Sequence, residues 1–534
     1  MKRSFINLLR EPDSVLFQYE DSNIRFEEAD GKEEQNSKIE YKVTDGYASV
    51  VLYPSERPVK RIKLRFRGDM SDVILVMGDA YIGGIGEINW SGLTPERKMP
   101  WYFQAYDGEK LNCFGVKTQP NAFCYFECDP CGITLWIDVR NGGGGVRLRE
   151  PLECIKVVCR EGSEAEAPFN SARAFCRQMC DNTVLPKEPV FGVNDWYWAY
   201  GKVTRDIVRQ ELRELMELSD DAKCKPYLMI DDGWQKYHYI SKTHGGYNGG
   251  PWDTPTESFG SMAETANEIH EKGAKAGIWF RPLCTCVQVP SEFEVPYRRE
   301  NAGIGLDPSH PGVLEMVAKD TAMIRGWGYD LIKYDFTTFD TLGIRVGDDW
   351  EGHFFDRSIT NCQMLKKLYK TVQNSADGAV ILGCGTVSHL AAGIHEVQRT
   401  GTDTSGRLFE ITRKNGGEAM MRLPQNGTFY AVDPDCAAFT PRVDAKANLD
   451  FMEMCAITGC VTLASITPGI LKAEEINRIR KIFKIASEGG KGAIPKDWIG
   501  HSTPSVFETT DGGKFIMDWY STYDGVRDFY TWTD

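Results

Sequence analysis

Acidic and aromatic side chains recur in this chain at the ends of short apolar runs. MIDDGWQ carries Asp231, Asp232 and Trp234, DLIKYDF carries Lys333 and Asp335, QRTGTDTS carries Arg399 and Asp403, and YAVDPD carries Asp433 and Asp435. NDWYW adds Asn194, Asp195, Trp196 and Trp198, and GIWFRP adds Trp279 and Arg281. Carboxyl groups move protons and bind hydroxyls, and flat indoles cover sugar faces, so the set reads as a carbohydrate pocket. A single aspartate at a strand end can be a helix cap. Charged groups at six strand ends are harder to assign to capping alone. Lys333 and Asp335 stand two apart, so on a strand both project to one side. An ammonium beside a carboxylate keeps it ionised, which suits a nucleophile. Arg399 and Asp403 stand four apart. A catalytic acid needs a raised pKa, which a neighbouring guanidinium opposes, so Arg399 reads more readily as a substrate ligand than as a tuner of Asp403. Both readings stay open at this point.

The elements that position these residues have two textures. SVLFQYE, ASVVLYP, RIKLRFRG, DVILVMGDAYI and GITLWIDVR alternate apolar and polar residues with turn signals between them, which predicts a β-sandwich over residues 1–165. In it, Lys60, Arg61, Lys63, Arg65 and Arg67 read as a solvated strand face rather than an anion site. Gly142 to Gly145 form a flexible loop that opens no helix and so makes a poor phosphate cradle. Cys128 and Cys131 form a lone CxxC without the second pair that a zinc site needs, and read as strand cysteines. Residues 166–190 read as a linker with a helix near Asn170 to Met179.

From residue 191 to about 490, short apolar strands alternate with amphipathic helices. The strand candidates are Gly192–Trp198, Pro226–Asp232, Ala274–Pro282, Leu331–Phe336, Ala379–Gly383, Val397–Asp403, Thr428–Asp433 and Val461–Ile466. The helices are Thr204–Leu218, Ser258–Lys272, Pro311–Gly326, Ser358–Ala376, Asp444–Thr458 and Ala473–Ser487. This is the pattern of a (β/α)8 TIM barrel, whose chemistry sits at the C-terminal ends of its strands. SVFETT, KFIMDWYS and RDFYTWTD predict a small C-terminal β element over 491–534. The fold class is therefore multidomain α/β plus β: sandwich, barrel and small β element.

On these motifs the chain resembles the clan D glycoside hydrolases, the α-galactosidase families 27 and 36, and is most similar to the family-36 branch that includes the raffinose-synthase-like proteins. MIDDGWQ at Met229–Gln235 is the most specific match. IKYDF at Ile332–Phe336 resembles the family's Lys-x-Asp nucleophile strand, and RTGTD at Arg399–Asp403 its Arg-x-x-x-Asp acid/base segment. GLDPSHPGVLEMV at Gly305–Val317 is similar to the stretch entering the helix before the nucleophile strand. The resemblance implies a retaining double displacement in which Asp335 attacks the anomeric carbon and Asp403 protonates the leaving oxygen. It implies that Asp231 and Asp232 bind sugar hydroxyls, with Lys333 and Arg399 assisting, and that Cys384 contacts the sugar from the end of strand five. Trp196, Trp234 and Trp279 are candidates for the subsite wall, with barrel packing as the competing reading. Two departures touch the pocket: Trp279-Phe280-Arg281-Pro282 stands where the family often has Trp-Phe-Glu-Pro, and GTVSHLAAG follows Cys384 instead of a Ser/Gly-rich stretch.

Other functions fit less well. The 534 residues hold 62 Lys+Arg against 76 Asp+Glu, a net charge of −14, so no net positive field gathers nucleic acid or anionic lipid. A metal-dependent barrel hydrolase needs His-x-His on strand one, and the eight histidines miss that pattern; no metal or cofactor is expected. A transglycosylase of raffinose-synthase type would share every catalytic residue, and a non-catalytic carbohydrate-binding barrel would not need both Asp335 and Asp403. The expected partner is an oligosaccharide or glycoside, with no nucleic acid or membrane, and a homo-oligomer stays open. The apolar patch Phe5 to Leu9 is shorter than the ~7–15 residue core of a signal peptide. That predicts a cytoplasmic protein, or a secreted or periplasmic one that has already lost its signal. The charge-free run Met454 to Leu471 is interrupted by Thr458-Gly459 and Thr467-Pro468-Gly469, so it reads as a helix end, a turn and a buried strand.

Overall fold

The alternating N-terminal segments pair into two six-stranded antiparallel sheets, the expected β-sandwich. The structure, a computed structural model, describes residues 4–22, 26–28, 37–82, 88–238, 248–296, 303–343 and 352–522. One sheet runs Glu27–Glu28, Ser14–Tyr19, Val59–Arg67, Gly132–Asp138, Phe123–Asp129, Met99–Pro100. The other runs Ile39–Thr44, Tyr47–Leu52, Leu152–Arg160, Leu111–Val116, Tyr102–Tyr106, Leu75–Gly78. Along Val59–Arg67 the period of two is plain: Ile62, Leu64 and Phe66 are buried, while Arg61 and Arg65 pair with Asp138 at 3.5 Å and Asp129 at 2.7 Å. The basic alternation is thus a face of cross-strand ion pairs. All sixteen cysteines are free; Cys128 is buried in its strand and Cys131 is exposed.

The Gly142–Gly145 loop is docked rather than flexible. Gly142 N–H donates to Asn361 Oδ1 at 2.7 Å, Asn361 Nδ2 donates back to Gly142 O at 3.0 Å, and Gly143 N–H reaches Gly352 O at 3.1 Å. The loop therefore ties the sandwich to the segment that follows barrel strand four. A second tie is charged. Arg422 Nε donates to Asp79 Oδ1 at 2.7 Å and Gln425 Nε2 to Asp79 Oδ2 at 2.7 Å, with Asp79 and Arg422 each 3% exposed. Arg422→Ala strands a buried carboxylate and should lower stability by about 3–5 kcal/mol, read as a fall in the urea or thermal midpoint. Adding Asp79→Leu should recover much of the loss; an unchanged midpoint in the single variant would refute the tie.

From Phe191 the chain builds nine short parallel strands. Their order is Ala431–Asp433, Val397–Arg399, Val380–Gly383, Leu331–Tyr334, Lys275–Phe280, Tyr227–Ile230, Phe191–Asn194, Thr462–Ile466, Cys436–Phe439. The first and last of these are two halves of barrel strand seven. Pro434 has no N–H to give, and Asp435 adopts a φ of 71°, so the ladder breaks between them. The first half pairs with strand six and the second with strand eight, and Val461 N–H bonds Val432 O at 2.9 Å. The ring of the (β/α)8 barrel closes through this broken strand. The expected strand Thr428–Asp433 therefore starts too early and stops before the second half.

Strands two and four to eight contribute one separate apolar cluster, including Met229, Leu331, Leu382, Val397, Ala438 and Leu463, which fills the barrel and floors the C-terminal face. The helices Pro311–Gly326 and Ala473–Ser487 lie where the periodicity places them. Phe409–Met421, after strand six, is a helix the sequence did not reveal. Met454 to Leu471 resolves into the end of the helix Ala445–Ile457 and the strand Thr462–Ile466, and no described helix is long and apolar enough to cross a membrane. The C-terminal β element is a three-stranded antiparallel sheet, Ile494–Pro495, Val506–Glu508 and Lys514–Ile516. The expected strand RDFYTWTD lies outside the described residues.

Candidate active site

The barrel strands are shorter than the sequence implied, and most expected site residues stand at or just past their C-terminal ends. Asp231 and Asp232 follow Ile230, Asp335 follows Tyr334, Cys384 follows Gly383, and Arg399 closes strand six with Asp403 four residues on. Strand one ends at Asn194, so Trp196 and Trp198 lie on a helical turn, Trp196–Ala199.

Lys333 and Asp335 project to one side as the strand period requires, but the ammonium's hydrogen bond goes to Asp231. Lys333 Nζ donates to Asp231 Oδ2 at 2.8 Å, and Asn194 Nδ2 donates to the same oxygen at 2.9 Å. Burial opposes the Lys333 charge, yet Asp231, with Cys384 and Asp335 adding to it, holds its pKa well above the usual lysine value. Asp335 is fixed by two N–H donors, Phe336 N at 2.6 Å on Oδ1 and the Trp279 indole at 3.3 Å on Oδ2. Phe336 adopts a φ of 62°, a strained conformation next to the carboxylate. Gly385 allows this approach, since a Cβ there would lie 2.6 Å from Asp335 Oδ1 and 2.7 Å from Phe336 N.

Behind Asp231 lies Asp195, 1% exposed, whose Oδ1 accepts Asp231 N–H at 3.0 Å. Burial, with the neighbouring Glu211 and Asp231, pushes its pKa well up. Asp232 accepts from Gln235 Nε2 at 2.5 Å and Asn248 Nδ2 at 3.2 Å. Arg281, the departure after strand three, donates to Asn248 Oδ1 at 2.6 Å and forks onto Asp340 at 2.8 and 2.5 Å. Asn248, Gln235 and Asp340 were not expected here. Asn248 lies in the sequence GGYNGGPWD, which offers no periodicity to mark it.

On the other side Arg399 Nη2 contacts Asp435 and donates to Asp403 Oδ1 at 2.8 Å and Thr402 O at 3.0 Å, while Nη1 lies 3.8 Å from Cys384 Sγ. The Arg399 side chain is 3% exposed. Its Nη2 donors go to protein groups. Asp403 has a 70% exposed side chain. Desolvation by neighbouring protein raises its pKa; Arg399 opposes, and Asp435 and Asp335 raise it further. Asp335 and Lys333 both act on Asp403, which puts the ends of strands four and six around one space.

The three tryptophans separate. Trp279 presents its indole N–H to Asp335, and Trp196 is half-buried with its ring 5.6 Å from Tyr200. Trp234 is fully buried, donates to Trp279 O at 2.8 Å and packs edge-on against Trp327, so it is core and not wall. His389, fully enclosed, bonds Val116 O at 3.0 Å and stacks on Trp101, which is a packing role. A cavity of about 320 Å3 lined by Phe169, Arg173, Val190, Asn426 and Val461 lies at the opposite, N-terminal end of the barrel and contains none of these groups.

No family model matches the chain. In sequence it is 31% identical over 91 residues to the bifunctional α-galactosidase/sucrose kinase AgaSK of Mediterraneibacter gnavus; the match spans 17% of this chain and 9% of that protein. In structure it matches an α-galactosidase from Thermus thermophilus, solved with p-nitrophenyl α-D-galactopyranoside, at a TM-score of 0.61 and 16% identity over 91% of this chain and 96% of that one. It matches the family-36 α-galactosidase AgaA from Geobacillus stearothermophilus at 0.59 and 11% identity, over 93% and 79%. The fold is that of the family-36 α-galactosidases. An α-galactosidase from Lactobacillus brevis gives the same answer at 0.60 and 13% identity, covering 95% of this chain and 74% of that chain. The family-36 likeness therefore extends across nearly the whole chain, well beyond the barrel motifs.

Proposed function

We propose that this protein is a retaining glycoside hydrolase that releases terminal α-galactosyl residues, with Asp335 as nucleophile and Asp403 as acid/base. What supports the reading is the placement of these two aspartates at or just past the ends of strands four and six: Asp335 oriented by two N–H donors, Asp403 with an exposed side chain and a raised pKa. Two carboxyl groups in different surroundings are how one site supplies a nucleophile and an acid. In the first step Asp335 Oδ attacks the anomeric carbon as the glycosidic bond breaks, and the Asp403 proton passes to the leaving oxygen. In the second, Asp403 takes a proton from water, which attacks the same carbon and releases Asp335. Asp231 and Asp232, held by Lys333, Asn194, Gln235 and Asn248, bind the sugar hydroxyls beside Trp279 and Cys384. The fold likeness and the α-galactosidase relatives support galactose as the sugar.

Two inversions leave the configuration unchanged, so proton NMR of p-nitrophenyl α-D-galactopyranoside turnover should show α-galactose before mutarotation. β-Galactose appearing first would contradict the double displacement. Parallel assays on the α-N-acetylgalactosaminide and β-L-arabinopyranoside test the sugar, and added acceptor sugar tests for transfer in place of hydrolysis.

A further inference from the structure

A guanidinium 2.8 Å from Asp403 Oδ1 favours the anion, whereas a general acid must enter the reaction protonated. Asp435 answers this conflict. It touches Arg399 Nη2 directly, and both side chains are 3% exposed. Its Oδ2 also accepts the Tyr197 phenol, Thr404 N–H at 2.8 Å and the Thr404 hydroxyl at 3.1 Å. Attraction between enclosed charges exceeds that between exposed ones, so Arg399 spends its charge mainly on Asp435 rather than on the open Asp403. The placement follows from the break in strand seven, where Asp435 N–H bonds Asp433 Oδ1 at 2.9 Å in the left-handed turn.

We propose that Asp435 is a positioning residue for the acid/base: as the buried counter-ion of Arg399 it keeps that guanidinium from pairing fully with Asp403, so Asp403 begins each turnover holding its proton. This rests on the reading of Asp403 as acid/base. The charged and titratable groups facing Asp403 are Arg399 from strand six, Asp435 from strand seven, Asp335 and Lys333 from strand four, Tyr197 from the turn after strand one and Cys384 from strand five. Asp433 shares the field of Arg399 and Asp435. Desolvation by neighbouring protein raises the Asp403 pKa, Arg399 lowers it, and Asp435 is the next largest raising influence.

The test is the pH profile of kcat/KM on methyl α-D-galactopyranoside, whose leaving group needs a proton. Asp435→Asn should move the alkaline limb down by about one pH unit or more, because the freed guanidinium then stabilises the Asp403 anion. Asp435→Glu should restore the limb, and p-nitrophenyl α-D-galactopyranoside should show a smaller loss at every pH. Should the asparagine variant not fold, Asp435→Ser removes the same charge and is read the same way. An unmoved limb, or an equal loss at all pH values, overturns the proposal. A wild-type protein inactive on every α-galactoside overturns the activity reading itself and takes this inference with it.

Discussion

Asp335→Ala should give a folded protein whose kcat/KM on p-nitrophenyl α-D-galactopyranoside is lower by on the order of 10^4-fold or more, about 5 kcal/mol of barrier. The carboxylate is held at the strand-four end by two N–H donors, and no step of the double displacement proceeds without a covalent acceptor. Its loss frees Phe336 N–H and the Trp279 indole, a cost of about 1–3 kcal/mol that a half-buried position tolerates, so circular dichroism and the thermal midpoint should stay near wild type. Azide should restore part of the activity by direct attack, giving the β-galactosyl azide. A variant within tenfold of wild type would remove Asp335 from the mechanism.

Asp403→Ala should behave differently. On a substrate with a poor leaving group the loss should be about 10^2–10^4-fold, the usual contribution of general acid catalysis. On the nitrophenyl substrate the first step needs little protonation, so loss should appear mainly in the second step. Azide then attacks the glycosyl-enzyme and yields the α-galactosyl azide, the opposite anomer to that from the Asp335 variant. The alkaline limb of the wild-type profile should vanish with Asp403. The raised pKa sets its sign: the carboxyl keeps its proton to higher pH than an ordinary aspartate, and activity falls as pH rises through that value. Persistence of the limb would assign the acid to another group.

Much of the barrel was legible because its strands are bounded by residues that chemistry and turns both require. Asp231, Asp335 and Asp403 stand just past strand ends because the apolar runs stop there. What was hidden depends on packing at a distance. The helix Phe409–Met421 carries Gly416-Gly417, which lowers its intrinsic propensity, yet a Cβ at Gly416 would meet Trp519 at 2.6 Å and one at Gly417 would meet Thr503 at 2.7 Å. The glycines admit the C-terminal element, and tertiary contact outweighs local preference. The break in strand seven was marked by Pro434, but the return of the chain to strand eight beyond it has no local signal. Trp234 looked like a sugar platform because an indole near an acidic pair suits one; only the neighbouring Trp327 and the Trp279 carbonyl show that it faces inward. The ion pair of Arg399 was hidden for a related reason. Its partner Asp435 is 36 residues away in sequence, and a pairing at that range leaves no trace in the spacing of Arg399 and Asp403.

The most direct test of the mechanism is to trap its intermediate. Incubation with a slow fluorinated galactosyl donor, followed by proteolysis and tandem mass spectrometry, should find one sugar per chain on the peptide containing Leu331–Phe336, attached to Asp335. A label on Asp403 or any other residue, or turnover of the donor with no covalent adduct and a β product, would contradict the account.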